Sequence, residues 1–563
     1  MRAAEGIARE LARCGVRHVF GIPGKESLGL GVELERHGIP FVAARHETQA
    51  VMMADGEWRA SGRLGVALVA QGAGLANTVG GLACVARARS GVVVISGDLL
   101  RSDVGDEPRA RAIQRLKGVD PRTLCAAVDV DYVRPASADV LLAEVRAALE
   151  RAAAGRPVSL NVPSDLFSAN VEGLPEAART PRQVPAAPPP DPRAIEETCE
   201  LLTFLTAGIR PVVLAGRGAV RAGAVPALRR LAERIGAVLA TTLLARSAFA
   251  GDAFDAGVCG TFASPVASEL FARADCVIAV GASLNPFTTY GGSIFPRRAP
   301  LIQVDADASA LGRYVDPAIG VRADARAFAD ALLAELERRS YSSRGFRTPE
   351  VAARIAGYDA RTSFTDASAD GYIDPRTLML ELDRILPRGR AVVIDAGLHL
   401  HYAATFLGVE RPEDFIFPID SLAVGLGMGA AIGAAVARPE RTTVLEVGDG
   451  GLMMSLGDLE TAVRLRLPLV VVVSNDQAWG AEAQHLEALG LPDAFVHVPT
   501  PSLAEVARAL GADGHTVASA ADVRALAPLL AAPPERPVLL DCRVHPGIRP
   551  ASFDFDYAGV FAK

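Results

Sequence analysis

The 563-residue chain has few features that would tie it to a membrane, a disulfide scaffold or a nucleic acid. Its seven cysteines are scattered and never form a Cys-x-x-Cys pair, which is typical of reduced thiols in a cytoplasmic protein. No apolar run reaches about 18 residues without glycine or charge, and the start lacks the apolar stretch of a signal peptide, so we expect no membrane contact. The net charge of −7 argues against nucleic acid as a partner.

The sequence does contain the composition of a well-packed α/β protein, with 50% apolar residues and 53 glycines. Its length exceeds what one hydrophobic core supports, so several domains are expected. Short β-branched runs alternate with Ala/Leu/Arg segments of helical period, which predicts parallel strands joined by crossover helices. We therefore expect three doubly wound α/β domains, with ligands bound after the carboxyl ends of strands. Strands are predicted at residues 92–96, 211–214, 276–281, 301–305, 391–395, 443–447 and 469–474.

Two stretches without periodicity divide the chain. Residues 176–193 are proline-rich, and this segment is predicted to be a linker because prolines remove backbone donors and favour extended conformations. Residues 338–373 are rich in turn formers and are predicted to be a second linker. The expected domains are an N-terminal domain at 1–175, a central domain at 194–337 and a C-terminal domain at 374–563.

The most informative segment lies in the C-terminal domain, at residues 444–480. It holds a predicted strand, a Gly-Asp-Gly-Gly turn at 448–451, a helix, a second strand and Asn475-Asp476. Glycines let backbone amides approach a phosphate, and the helix start supplies further N–H donors. The two strand ends bring Asp449 and Asp476 side by side, and two carboxylates with a loop carbonyl suit Mg²⁺. Taken alone, the turn could equally be an ordinary strand–turn–helix.

A second candidate carboxylate, Glu47, opens a predicted helix in the N-terminal domain. It begins the pattern Glu-x-x-Ala-x-x-x-Ala-x-Gly, which continues through Ala50, Ala54 and Gly56. A carboxylate in the first turn could equally serve only to match the helix dipole.

Together these motifs resemble those of thiamine diphosphate-dependent enzymes of the acetolactate synthase large-subunit type, over nearly the whole chain. In that family the Gly-Asp-Gly turn is followed by Asn-Asn, whereas here the second Asn is Asp476, which adds a negative charge beside the diphosphate. The resemblance implies that Asp449, Asp476 and the Ala478 carbonyl hold Mg²⁺. It also implies that Glu47 is the catalytic residue, placed against N1′ of the cofactor's pyrimidine.

The resemblance further implies a set of residues around thiamine diphosphate. Val424 takes the place of the apolar wedge that bends the cofactor, and the Leu422 carbonyl is expected to accept from the 4′-amino group. His399 is a candidate phosphate donor, although a single histidine can equally pack locally. The implied cofactor-binding residues are Pro23, Gly24, Gly72, Gly74, Asn77, Gly397, Leu398, His399, Leu422, Val424, Gly448, Gly450 and Gly451.

Assembly and substrate are less defined by the sequence. The resemblance implies a homodimer or homotetramer with each active site between two subunits. Candidate substrate residues are Gln114, Trp479 and Glu482, and Asp98 stands where acetolactate synthases have Gln. The central domain has no complete Gly-x-Gly-x-x-Gly, so no nicotinamide site is expected, and bound FAD or ADP is considered there but not favoured.

The predicted reaction is decarboxylation of a small-molecule 2-oxo acid, with pyruvate as the default donor, and addition of the enamine to a second carbonyl. A 2-oxo acid decarboxylase or a 2-hydroxyacyl thioester lyase is the first alternative. A cofactor-binding paralogue without turnover is the alternative from another class.

Overall fold

The computed structural model describes residues 1–99, 112, 116–174, 188–205, 208–369 and 371–550. Strands in these ranges form three six-stranded sheets in which neighbours run parallel, for example β1 with β3 and β15 with β16. The first sheet contains β1 (Val19–Ile22), β2 (Phe41–Ala43), β3 (Gly65–Val69), β4 (Val92–Asp98), β5 (Asp131–Val133) and β6 (Val158–Pro163). The second contains β7 (Pro211–Ala215), β8 (Val238–Thr241), β9 (Asp255–Val258), β10 (Cys276–Val280), β11 (Leu301–Asp305) and β12 (Ile319–Arg322). The third contains β13 (Ala391–Ile394), β14 (Phe415–Ile416), β15 (Thr443–Gly448), β16 (Leu469–Asn475), β17 (Asp513–Val517) and β18 (Val538–Arg543).

Helices alternate with these strands. Those of the first domain are Ala3–Arg13, Leu28–Arg36, Glu47–Ser61, Ala73–Ala76, Val79–Ala88, Pro121–Ala127 and Ala138–Ala153. Those between residues 188 and 369 are Pro192–Phe204, Arg217–Arg221, Val225–Ile235, Pro265–Phe271, Pro286–Thr289, Ala325–Arg338 and Pro349–Ala356. Those after residue 371 are Pro375–Ile385, Leu400–Phe406, Gly427–Ala437, Asp449–Ser455, Gly457–Arg464, Gly480–Ala488, Leu503–Ala509, Ala520–Ala525 and Ala527–Leu530.

The expected fold class, three doubly wound α/β domains, is confirmed. Each of the seven predicted strands is present, with ends that differ by at most two residues. With strands numbered one to six within each sheet, the second sheet has the order 3-2-1-4-5-6, which is typical of doubly wound folds. The first and third sheets share a different order, 2-1-3-4-6-5. The N-terminal and C-terminal domains therefore have one topology, and the central domain has another.

The bounds of the two predicted linkers stay predictions. Most of the proline-rich stretch at 176–193 lies outside the described residues, and the helix Pro192–Phe204 begins at its end. The second predicted linker, 338–373, is not wholly irregular. It contains the helix Pro349–Ala356, whose first turn is capped by Thr348. The turn-forming residues on both sides concealed this short helix from the sequence analysis.

The described chain forms two compact units. Unit 1 joins the N-terminal domain to most of the C-terminal domain, and unit 2 holds the central domain together with residues 401–415. Within the described ranges, no helix is both long enough and apolar enough to cross a membrane. All seven cysteines are free thiols.

Two helices join the domains of unit 1. We call them the glutamate helix (Glu47–Ser61) and the glycine helix (Gly427–Ala437). Each follows the second strand of its own sheet, and both contribute to one shared hydrophobic core. Their backbones touch, because a Cβ added to Gly433 would lie 1.9 Å from the Met53 carbonyl oxygen. A Cβ on Gly56 would lie 2.1 Å from the Ala430 carbonyl oxygen, so this joint requires glycine on both sides.

Candidate functional site

Two carboxylates meet at the carboxyl edge of the third sheet. Strands β15 and β16 are neighbours in parallel register, Asp449 begins the helix after β15, and Asp476 follows β16 directly. Burial and the nearby charge of Asp476 raise the pKa of Asp449 to about 7, and burial also raises the pKa of Asp476. Neither carboxylate forms an ion pair with Lys or Arg among the described residues. The charge of His399 offsets only part of this effect. Two adjacent carboxylates that pair with no Lys or Arg fit a divalent cation.

The turn after Asp476 brings in a backbone candidate for the same cation. Gln477 has a φ of 58°, and the Ala478 amide donates to Asp476 Oδ1 at 3.1 Å, so Ala478 is held next to this carboxylate. In the part of the chain that the structure describes, no group of three or more His, Cys, Asp or Glu side chains could hold a metal ion. Two carboxylates and a carbonyl leave coordination positions that diphosphate and water oxygens can fill, as Mg²⁺ prefers.

His399 lies beneath the loops at this edge. Its Nδ1 is 2.6 Å from Glu446 Oε2, and Glu446 Oε1 accepts from the Ser474 hydroxyl at 2.7 Å. Burial opposes the charged form, but the charge of Glu446 outweighs it and raises the pKa of His399 to about 9. Its Nε2 is within 3.0 Å of the Gly448 amide. Both ring nitrogens thus have protein neighbours, which supports a role in positioning the loops. Direct donation to a phosphate stays a prediction.

Glycines line the site because side chains would not fit. A Cβ on Gly397 would lie 2.5 Å from the His399 ring, and Gly397 has a φ of 147°. A Cβ on Gly450 would lie 2.9 Å from the Trp479 ring. A Cβ on Gly451 would lie 2.8 Å from Asp395 Oδ2. Glycine at these positions therefore lets the turns around Asp449 pack closely, and glycine turns before a helix start are typical of phosphate sites.

The predicted wedge belongs to residues 421–426, which we call the wedge loop. Leu422 has a φ of 57°, an unusual conformation for a branched residue, and its side chain is exposed. The Val424 Cγ1 atom lies 3.3 Å from where a Cβ on Gly451 would be, so the wedge loop covers the glycine turn. Asp395 Oδ2 accepts from the Gly425 amide at 2.9 Å. The buried Ser421 hydroxyl has no hydrogen-bond partner among the described residues, so its oxygen is available to a polar group of a ligand.

A cavity of about 300 Å³ opens beside Asp449. Its lining is mostly apolar and consists of Asp449, Gly450, Met453, Met454, Ala478, Trp479, Val498, Pro499, Thr500 and Pro501. The ring of Trp479 packs on Gly450 and is partly exposed, whereas Glu482 points to solvent from the helix Gly480–Ala488. Leu398 packs near Gly480.

Glu47 is held at the carboxyl edge of the first sheet. The Asn77 side-chain amide donates to Glu47 Oε2 at 3.0 Å, and a Cβ on Gly74 would lie 3.4 Å from Glu47 Oε1. Gly72 has a φ of 72°, and a Cβ there would lie 2.3 Å from the Lys117 carbonyl oxygen. The turn after β3 therefore approaches the glutamate closely.

The remaining candidates of the N-terminal domain lie elsewhere. Pro23 and Gly24 follow β1, with Pro23 exposed and Gly24 bonded to Ser27. Asp98 is buried and accepts from Arg134 at 2.9 Å, so its carboxylate is already paired. Gln114 lies outside the described residues.

Sequence reasoning missed several residues that organise this site. Asp395 stands at a predicted strand end, which was a usable signal, but its bond to the wedge loop was not foreseen. Glu446 lies inside β15, where a buried carboxylate has no motif to mark it. Gln49 reaches the wedge loop from the glutamate helix. In the pattern Glu-x-x-Ala that starts at Glu47, Gln49 is the second x, so the pattern does not mark it.

In unit 2 the glycine turn of the central domain is explained by packing. A Cβ on Gly216 would lie 2.0 Å from the Gly281 carbonyl oxygen, and one on Gly218 would lie 2.9 Å from Gly281 Cα. These glycines allow β7 and β10 to be followed by touching loops, and they do not by themselves indicate a nucleotide.

The sequence matches known thiamine enzyme domains along most of its length. It matches the N-terminal thiamine pyrophosphate binding domain over residues 1–119, the central domain of these enzymes over 199–332, and the C-terminal thiamine pyrophosphate binding domain over 395–542. The chain therefore belongs to the thiamine pyrophosphate-dependent enzymes.

Individual relatives share a little under a third of the sequence. The chain is 29% identical to sulfoacetaldehyde acetyltransferase of Alcaligenes xylosoxydans xylosoxydans, over 93% of this chain and 89% of that one. It is 28% identical to the acetolactate synthase isozyme 3 large subunit of Escherichia coli K12, over 86% and 84%. It is 30% identical to a probable 2-ketoarginine decarboxylase of Pseudomonas aeruginosa, over 91% and 88%. The names of these relatives cover a transferase, a synthase and a decarboxylase.

Proposed function

We propose that this protein is a thiamine diphosphate- and Mg²⁺-dependent carboligase, which decarboxylates a 2-oxo acid and joins the remaining unit to a second carbonyl. The observation that carries the proposal is the pair of carboxylates Asp449 and Asp476, which lie on neighbouring strand ends and pair with no Lys or Arg in the described part of the chain. Glu47, oriented by Asn77 at the carboxyl edge of the first sheet, would supply the acid that such chemistry needs.

Each group has a distinct task in this proposal. Asp449, Asp476 and the Ala478 carbonyl would hold Mg²⁺, and the glycine amides beside them would bind the diphosphate. Val424 would shape the bound cofactor, and the Leu422 carbonyl would accept from its amino group. When bound, thiamine diphosphate supplies an electron sink for a carbanion next to a carbonyl. Glu47 would hold a proton at N1′ of the pyrimidine ring.

The apolar cavity supports a small substrate near this centre. Met453, Met454 and Val498 line it, and their apolar surface suits the alkyl group of a small substrate. Pyruvate is the default donor, by family resemblance. Trp479 would form one wall of the acceptor side, with Glu482 and Gln114 as weaker candidates.

A 2-oxo acid decarboxylase is the second candidate, and similarity to the probable 2-ketoarginine decarboxylase favours it. A 2-hydroxyacyl thioester lyase would use the same groups. Product analysis separates these activities, because a decarboxylase releases free aldehyde and a carboligase releases a 2-hydroxy ketone or a 2-hydroxy-3-oxo acid. We place the protein in the cytoplasm as a homodimer or homotetramer with active sites between subunits.

The test is an incubation of purified protein with thiamine diphosphate, Mg²⁺ and pyruvate, with and without FAD, followed by measurement of CO₂ and acetolactate. A panel of other 2-oxo acids and acceptor aldehydes is run in parallel. We expect cofactor-dependent CO₂ release that is lost in Glu47→Gln, a variant of matched size. Free aldehyde as the sole product would refute the carboligase assignment. Cofactor binding without CO₂ from any donor would instead favour a paralogue without turnover.

A further inference from the structure

Gln49 connects the helix of the catalytic glutamate to the wedge loop. It lies two residues after Glu47, and its side chain is 4% exposed. Its Nε2 donates to the Gly425 carbonyl oxygen at 2.7 Å, and its Oε1 accepts from the Gly429 amide at 2.8 Å. Both ends of one buried amide are thus satisfied by backbone atoms at the end of the wedge loop and in the glycine helix.

The packing around Gln49 leaves it little freedom. A Cβ on Gly429 would lie 2.7 Å from both the Gln49 carbonyl oxygen and its Oε1 atom. The Gly425 amide, on the other side of the same peptide segment, donates to Asp395. Gly425 has a φ of 83°, so the chain turns sharply just where Gln49 and Asp395 hold it.

The other end of the segment is held by a second residue of the glutamate helix. Arg59 is 5% exposed in its side chain and pairs with Asp420 at 2.7 Å and with Asp55 at 2.6 Å. It also donates to the Phe417 carbonyl oxygen at 3.3 Å. The wedge loop, residues 421–426, therefore lies between two attachments to one helix, at Gln49 and at Arg59.

We propose that Gln49 is a positioning residue of the active site, which fixes the wedge loop relative to the glutamate helix and so sets where Leu422 and Val424 meet the cofactor. The inference rests on the proposed function, because it assigns cofactor contacts to those two residues. Gln49 does not touch the reacting atoms. It acts through the Gly425 carbonyl, one residue after Val424. Loss of both hydrogen bonds of its side chain would leave the Gly425 carbonyl and the Gly429 amide buried and unpaired.

The first test uses the cofactor-free protein and hydrogen–deuterium exchange of peptides that span residues 417–433. Gln49→Met keeps the length of the side chain and removes both hydrogen bonds. Val51→Ala is the matched control, since Val51 is buried in the same helix but packs toward Gly81 within the N-terminal domain. We expect exchange in this segment to be about tenfold faster in Gln49→Met and unchanged in Val51→Ala.

The second test measures how fast the C2 proton of bound thiamine diphosphate exchanges with D₂O, at saturating cofactor and Mg²⁺ and without substrate. We expect Gln49→Met to slow this exchange about tenfold or more, since small misplacements of catalytic groups are costly. Gln49→Glu keeps the acceptor for Gly429 but loses the donor to Gly425, so an intermediate rate is expected. This variant also serves if Gln49→Met does not fold.

Each result decides a separate question. If the wild-type protein neither binds thiamine diphosphate nor accelerates C2 exchange, the proposed function fails. If the wild-type protein does both and Gln49→Met matches it in C2 exchange, the positioning role of Gln49 is overturned, even when amide exchange is faster. Equal effects in Gln49→Met and Val51→Ala would also overturn it, because the loss would then be one of general stability.

Discussion

Replacement of Asp449 by Asn should stabilise the cofactor-free protein while removing its affinity for Mg²⁺. Asp449 is 3% exposed, and its charge is opposed by burial and by Asp476. The variant keeps the shape of the side chain but carries no charge into this site. A metal site that holds carboxylates close together lowers the stability of the metal-free folded protein, because the negative charges repel each other.

The size of the effect follows from the pKa of Asp449, which is about 7 in the folded chain against an ordinary value of 3.8. At a pH where Asp449 is ionised in both the folded and the unfolded state, this difference in pKa lowers the free energy of unfolding by about 4 kcal/mol. Movement of the side chain toward solvent reduces this penalty, so we expect a gain of about 1–3 kcal/mol for Asp449→Asn at pH 8. Because the pKa of Asp449 is higher in the folded chain than in the unfolded chain, the free energy of unfolding of the wild-type protein falls as pH rises from about 4 to about 7. The advantage of the variant grows over the same window and is level above it.

The assay is urea denaturation of the cofactor-free protein between pH 5 and pH 8, repeated with thiamine diphosphate and Mg²⁺. Asp493→Asn is the control, because Asp493 lies at the surface and His497 lowers its pKa. We expect ligands to stabilise the wild-type protein and not Asp449→Asn. A cofactor-free Asp449→Asn that is no more stable than wild type at pH 8 would show that this carboxylate is not strained by its surroundings.

Three further predictions test the site and the joint. Asp476→Asn should bring the pKa of Asp449 closer to its ordinary value, because it removes a neighbouring charge, so Mg²⁺ binding should persist to lower pH. Calorimetric titrations at pH 6 and pH 8 that show no change in pH dependence would contradict this. Asn77→Ala should lower kcat about tenfold with little change in KM, since it removes the hydrogen bond to Glu47. Steady-state kinetics that show a raised KM and an unchanged kcat would argue for a role in binding instead. Gly433→Ala should destabilise the protein by more than about 3 kcal/mol because its Cβ would meet the Met53 carbonyl, whereas Gly80→Ala meets no atom within 4 Å and should change stability by less than about 1 kcal/mol. Similar denaturation midpoints for these two variants would refute the close helix contact.

The sequence predicted the fold well because its signals are local. Runs such as Leu469–Asn475 are buried on both faces and are therefore rich in β-branched residues, and the strand ends with their glycines and carboxylates followed from them. The contact of Gln49 with Gly425 spans 376 positions and leaves no mark in either segment. The short helix Pro349–Ala356 was missed because turn formers surround it, and the sequence could not show that Glu446 pairs with His399.

The equal strand order of the first and third sheets has a consequence for how this protein can be altered. The glutamate helix and the glycine helix occupy the same place in the two copies of one topology, and they meet at Gly56 and Gly433. Unit 1 thus resembles two protomers of an isologous dimer fused into one chain, with Glu47 on one half and the wedge loop on the other. A chimera that takes one domain from a relative should fold only when the partner helix is transplanted with it.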